Sequence, residues 1–128
     1  MVKFFTLEFF KQIAENVNKN PDFEIGIGDF DGTIILTAKD LEKSFLIEIR
    51  RGKIRSIKEA KPDEKSDFKL EGNYENWVKI GKGELMVRDA ILTGALSLTG
   101  SLIGLAIYSG GFGVLLQTMA STSKEFLK

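Results

Sequence analysis

AILTGALSLTGSLIGLAIYSGGFGVLLQTMASTS, residues 90–123, carries no charged side chain. It holds 18 apolar residues, 6 glycines and 10 serine, threonine or glutamine residues. The chain before it is densely charged, with 17 acidic and 16 basic side chains in residues 1–89. Leu92–Tyr108 approaches the roughly 20 apolar residues of a spanning helix, and Gly100 and Gly104 match the small-residue spacing of membrane helices. Three features oppose a span. Thr93, Ser97, Thr99 and Ser101 recur at a strand-like period of two. Gly110, Gly111 and Gly113 interrupt the run, and the flanks lack a Lys/Arg asymmetry. The segment therefore reads as buried in a soluble domain and, more specifically, as the wall of an apolar cavity.

The whole chain has 128 residues, one domain's worth of sequence. A domain of this size buries roughly two-thirds of its unfolded surface, enough for one real core. The 18 basic and 18 acidic side chains cancel, which argues against a nucleic-acid partner. There is no cysteine and no histidine. That removes disulfides, thiol nucleophiles, cysteine-ligated zinc and the usual general base. No catalytic residue, metal or cofactor is expected. Glu8 interrupts the apolar start, so no secretory signal core is read there and the expected compartment is cytoplasmic.

Phe9, Ile13 and Val17 recur at spacing four and predict a helix over residues 5–17, capped by Thr6. The four phenylalanines Phe4, Phe5, Phe9 and Phe10 are expected in the core. Phe23, Ile25 and Ile27 alternate and predict a strand over 23–29, with a hairpin turn at Asp31-Gly32. Strands are predicted at 33–38, 44–50 and 54–59, the last two joined by Arg51-Gly52-Lys53. After a polar loop at 61–66, a strand follows at 67–71. A helix opens after Asn73, carries Tyr74, Trp77, Val78 and Ile80, and ends at Gly81-Lys82-Gly83. A short helix at 84–92, a strand at 94–100, and two helices at 101–108 and 114–126 around the glycine cluster complete the prediction. The order is α+β, with a largely antiparallel sheet and helices on one side.

Two motifs invite other readings. Asp29-Phe30-Asp31-Gly32-Thr33 after an apolar run looks like the first motif of haloacid dehalogenase-like phosphatases. The later lysine, the distal acidic pair and the crossover helix of that family are missing, so the match lacks its context. Gly110-Gly111-Phe112-Gly113 before a helix suggests a phosphate cradle, but no Lys-Ser/Thr follows, and a flexible corner or a lid hinge is the plainer reading.

Five stretches in order carry a resemblance: DGTIILTAKD (31–40), KSFLIEIRRGKIRSIKEA (43–60), SDFKLEG (66–72), NYENWVKIGKGEL (73–85) and DAILTGALSLTG (89–100). The last is the most specific, with Ala90, Gly94, Leu96, Leu98 and Gly100 in place. Together they resemble the sterol carrier protein type-2 family of lipid-binding domains over about three-quarters of the chain. The resemblance implies a five-stranded, largely antiparallel sheet, helices on one face, and an apolar tunnel between them. It also implies binding of a sterol, fatty acid or acyl-CoA without chemistry. Two departures stand out: Ala95 and Ser97 replace a frequent lysine, and the tail after Gly100 is longer and richer in glycine.

The expected function is the binding and carrying of a lipid or fatty-acyl molecule. Burying a 12-carbon tail offers roughly 10 kcal/mol before costs, which needs no charged partner. The expected apolar lining is Trp77, Leu85, Ile91, Leu92, Leu96, Leu98, Leu102, Ile103, Leu105, Ala106, Ile107, Leu115, Leu116 and Met119. Ser97, Thr99 and Gln117 are expected at a polar head group. Transient membrane contact is expected with this function. The alternative is a protein-interaction module, in which the apolar C-terminal segment pairs two copies or docks on an enzyme.

Overall fold

In the computed structural model, which describes residues 1–126, five strands build one sheet. They are β2 (Gly32–Ala38), β3 (Lys43–Arg50), β4 (Lys53–Glu59), β5 (Phe68–Gly72) and β6 (Ser97–Thr99), in the spatial order β4-β3-β2-β5-β6. All neighbours are antiparallel except β2 and β5, which run parallel. A two-residue parallel pair, β1 (Val2–Lys3) with β7 (Lys124–Glu125), ties the two ends of the chain together. The expected α+β class and five-stranded, largely antiparallel sheet are present.

The alternation of Phe45, Ile47 and Ile49 turns those side chains to one sheet face, where all three are buried. Ile34, Leu36, Phe68 and Leu70 share that face by register. The helices α1 (Leu7–Asn18), α2 (Pro21–Ile27), α3 (Tyr74–Gly81), α4 (Val87–Thr93) and α5 (Leu102–Ser121) supply the other side of the core. Thr6 caps α1, its hydroxyl accepting the Phe9 N–H at 3.2 Å. Phe9, Phe10, Ile13 and Val17 of α1 are buried, and the rings of Phe4, Phe5, Phe9 and Phe10 pack edge to face at 5.0–5.9 Å.

Three local expectations are corrected. Residues 21–27 are helical, not extended. The Asn20 side chain accepts the Asp22 N–H at 2.9 Å, Pro21 occupies the first turn, and Asp22 and Glu24 favour the positive helix N-terminus. Phe23 and Ile27, four apart, face the core while Ile25 faces solvent. Asp31-Gly32 is therefore no hairpin turn. Gly32 begins β2, and Asp31 accepts the Arg51 N–H at 2.9 Å. The phosphatase motif loses its context with it, because a helix rather than a strand precedes the two aspartates. Finally, residues 102–121 form one continuous helix straight through Gly110, Gly111 and Gly113, so the glycine cluster is not a corner between two helices.

Smaller adjustments concern ends. The helix expected at 84–92 runs from Val87 to Thr93, and the strand expected at 94–100 is confined to Ser97–Thr99. Asn73 stands at the start of α3 without a side-chain cap; the Asp40 carboxylate instead accepts the Tyr74 N–H at 2.8 Å.

Trp77 of α3 lies fully inside the core, and its indole Nε1 donates to the Thr37 carbonyl oxygen of β2 at 2.8 Å. This bond pins α3 to the central strand. Trp77→Phe is expected to lower stability by about 1–3 kcal/mol, because the Thr37 carbonyl loses its buried donor. Urea unfolding followed by circular dichroism measures this; a loss within error of zero would show that the bond holds nothing.

Candidate functional site

The sheet–helix interface is packed rather than hollow. Between the sheet and α5 lies a void of about 10 Å³, lined by Ile34, Leu36, Phe68, Leu70, Leu98, Leu105, Phe112, Leu115 and Leu116. That is room for about one water molecule, and the expected apolar tunnel is not present as open space there. A larger space lies among the helices. A cleft of about 530 Å³ separates the α3–α4 segment from α5, a volume in the range of about 300–1,000 Å³ typical of small-molecule sites.

One wall of the cleft comes from Ile80, Gly83, Leu85, Met86 and Val87; the other comes from Ser109, Gly110, Gly113, Val114, Leu116, Gln117 and Ala120 of α5. Leu116 lines both the cleft and the small void, so its side chain is the partition between them. Helical spacing explains how α5 does two jobs. Leu105, Tyr108, Phe112, Leu115 and Met119 follow one another at three and four residues and pack against the core. Ile103, Ile107, Gly110, Val114 and Gln117 do the same on the opposite face. The second half of that face walls the cleft, and its first half is bare.

The bare half groups several exposed apolar side chains, with Leu92 of α4 exposed as well. Leu92, Leu102, Ile103 and Ile107 are exposed over 63–77% of their surface, and Met86 at the cleft's rim over 72%. Ser101 opens the helix by accepting the Gly104 N–H at 3.0 Å. The Tyr108 hydroxyl donates to the Asp29 carboxylate at 3.1 Å, and that bond raises the Tyr108 pKa. By length and apolarity α5 is able to cross a membrane. Its second half, however, sinks Phe112, Leu115, Leu116 and Met119 into the core, and a span would have to withdraw them.

The expected lining residues therefore separate into distinct places. Leu85, Leu116 and Gln117 line the cleft. Leu98, Leu105 and Leu115 line the small void. Trp77, Leu96 and Met119 are fully packed core, and Ile91 packs against it. Leu92, Leu102, Ile103, Ala106 and Ile107 face solvent. Ser97 and Thr99, expected at a head group, do not line the cleft. Leu98 pairs with Leu70 on the inner sheet face, so its two neighbours on β6 point to the opposite face, beside Glu71 and Lys69. The cleft residues not singled out from sequence, Ile80, Gly83, Met86, Val87, Ser109, Gly110, Gly113, Val114 and Ala120, lie on the α3–α4 segment or on the small-residue face of α5. Among the described residues there is no cluster of three or more acidic side chains able to hold a metal ion.

A helix-covered, mostly antiparallel sheet with an apolar cleft between its helices defines a class of small α+β domains. Residues 10–106 match the SCP-2 sterol transfer family, and the chain belongs to that family. No curated protein matches it in sequence. Among solved structures it is similar to a crystal structure of sterol carrier protein 2, with 19% identity and a TM-score of 0.84, over 94% of this chain and 100% of that one. It is also similar to a conserved hypothetical protein from Thermus thermophilus, suggested in its description to be a sterol carrier protein. That match has 17% identity and a TM-score of 0.81, over 98% of this chain and 93% of the other. A stereoselective inverting sec-alkylsulfatase from Pseudomonas sp. contains a similar region, with 21% identity and a TM-score of 0.60, over 81% of this chain but only 16% of the enzyme.

Proposed function

We propose that this protein binds and carries a lipid or fatty-acyl molecule in the cleft between the α3–α4 segment and α5. The observation that carries the reading is the cleft itself. Its side chains are mainly apolar, its volume suits an acyl chain, and one of its walls continues as the bare apolar half of α5. Membership of a sterol transfer family supports it. The reading is of a carrier rather than an enzyme, acting in the cytoplasm, with Leu85, Leu116 and Gln117 among its ligand contacts. The bare half of α5 would meet a membrane transiently, so that a lipid enters the cleft without crossing water.

Native mass spectrometry before and after delipidation tests the reading. A co-purifying mass of a few hundred daltons that extraction removes is the expected result. A protein that carries nothing and takes up no added lipid would defeat it.

A second reading is favoured by the same exposed side chains. Leu92, Leu102, Ile103 and Ile107 would pair two copies of this chain or dock it on a partner protein. Ile103→Glu, on the exposed face, separates the two. Under the interface reading it converts a concentration-dependent dimer to a monomer; under the carrier reading it weakens vesicle binding and leaves the mass unchanged. Leu105 is unsuited to this test, because it faces the small void and a charge there would disturb the core.

A further inference from the structure

We propose that the cleft takes lipids whose head group is uncharged and forms hydrogen bonds, in preference to ionised ones. This rests on the carrier reading and adds the chemical class of the ligand. Among the described residues no charged side chain lines the cleft, and the polar side chains there are Ser109 and Gln117. Ser109 Oγ donates to the Ala106 carbonyl at 3.1 Å, which leaves its lone pairs to accept from a ligand. Gln117 is exposed on the cleft face of α5 and offers both a carbonyl oxygen and an amide N–H₂. A hydroxyl, ester or amide head group satisfies both residues.

Two of the cations near the cleft are engaged elsewhere. Lys82 Nζ stands over the Phe126 ring, 5.5 Å from its centre. Lys124 follows the cleft residue Ala120 by four, and its Nζ donates to the carbonyls of Ala120 and Thr122 at 2.9 Å each. Lys79 and Arg88 border the α3–α4 wall in the sequence together with the carboxylates of Glu84 and Asp89, and none of the four lines the cleft itself. An ionised carboxylate placed against this lining gives up water and gains no cation. An alcohol gives up less and finds a partner in Gln117.

The test uses delipidated full-length protein and the uncharged fluorophore N-phenyl-1-naphthylamine, displaced by dodecanol or by dodecanoate at mildly alkaline pH. Dodecanol is expected to displace the probe at a concentration about tenfold lower than dodecanoate. General hydrophobicity also favours the alcohol, so a second arm uses Gln117→Lys, which places an ammonium at the cleft wall. The variant is expected to shrink the gap about tenfold by tightening dodecanoate. Equal displacement in the natural protein, or an unchanged ratio in Gln117→Lys, overturns the head-group preference and leaves the carrier reading standing. A protein from which neither compound displaces the probe, or which never binds it, overturns both.

Discussion

Gly113→Trp is expected to abolish most lipid binding while leaving the fold as stable as before. Gly113 lies on the cleft face of α5, and a Cβ built there meets no atom within 4 Å. A side chain at this position therefore grows into open cleft rather than into neighbours. Its backbone is helical, so no left-handed conformation stands in the way. Replacing a mid-helix glycine also recovers part of its propensity cost of about 1 kcal/mol. The indole would lie between Val114 and the α3–α4 wall and compete with an acyl chain for the same surface. Ligand affinity should fall by about tenfold or more, equivalent to losing the burial of a couple of methylenes at about 0.8 kcal/mol each. Titration of a fluorescent fatty acid, with thermal unfolding run in parallel, measures both halves of the statement. Unchanged affinity would move the ligand out of the cleft and toward the sheet–helix interface, where the void behind Leu116 would have to open.

The sheet is legible in the sequence because its strands obey one rule each. Phe45, Ile47 and Ile49 alternate, and Gly52 stands where a positive φ of 74° is needed at the turn between β3 and β4. The helix at 21–27 is not legible from alternation, because Phe23, Ile25 and Ile27 satisfy a period of two and a period of four at once. Asn20-Pro21 reads as the stop of one helix, yet it also starts the next. The cleft is harder still. Helix α5 is apolar on both faces, since one packs on the core and the other walls the cleft, so no stripe marks which leucine does which. Leu115 and Leu116 are adjacent in sequence, yet only Leu116 reaches the cleft. The placing of Ser97 and Thr99 is hidden for a similar reason. Which face of β6 they occupy depends on Leu98 pairing with Leu70, a register that local sequence does not reveal. The available signal for the site is Gly113, where a helix position without a side chain leaves room for something else.

Gly111→Ala is expected to destabilise the protein by up to about 2 kcal/mol, although the same substitution two residues later should stabilise it. An added Cβ at Gly111 falls 2.7 Å from Cα and Cβ of Ile27, and one at Gly26 falls 2.6 Å from the backbone of Gly110 and Gly111. Helices α2 and α5 thus cross with backbone against backbone, and three glycines make that approach. Separating them costs about 1–3 kcal/mol or more as overpacking, set against about 1 kcal/mol of recovered helix propensity. At Gly113 only the second term operates, so Gly113→Ala should gain up to about 1 kcal/mol. The glycines of α5 are therefore not one flexible cluster: Gly110 and Gly111 exist for contact and Gly113 for vacancy. Gly26→Ala combined with Gly111→Ala should cost less than the sum of the two, since either one already forces the helices apart. Urea unfolding of the four variants decides the matter; equal stabilities for Gly111→Ala and Gly113→Ala would mean that the close crossing is not what these glycines serve. The displaced α5 would also carry the cleft wall with it, so Gly111→Ala should weaken ligand binding, without touching the cleft, through a residue buried on the other side of the helix.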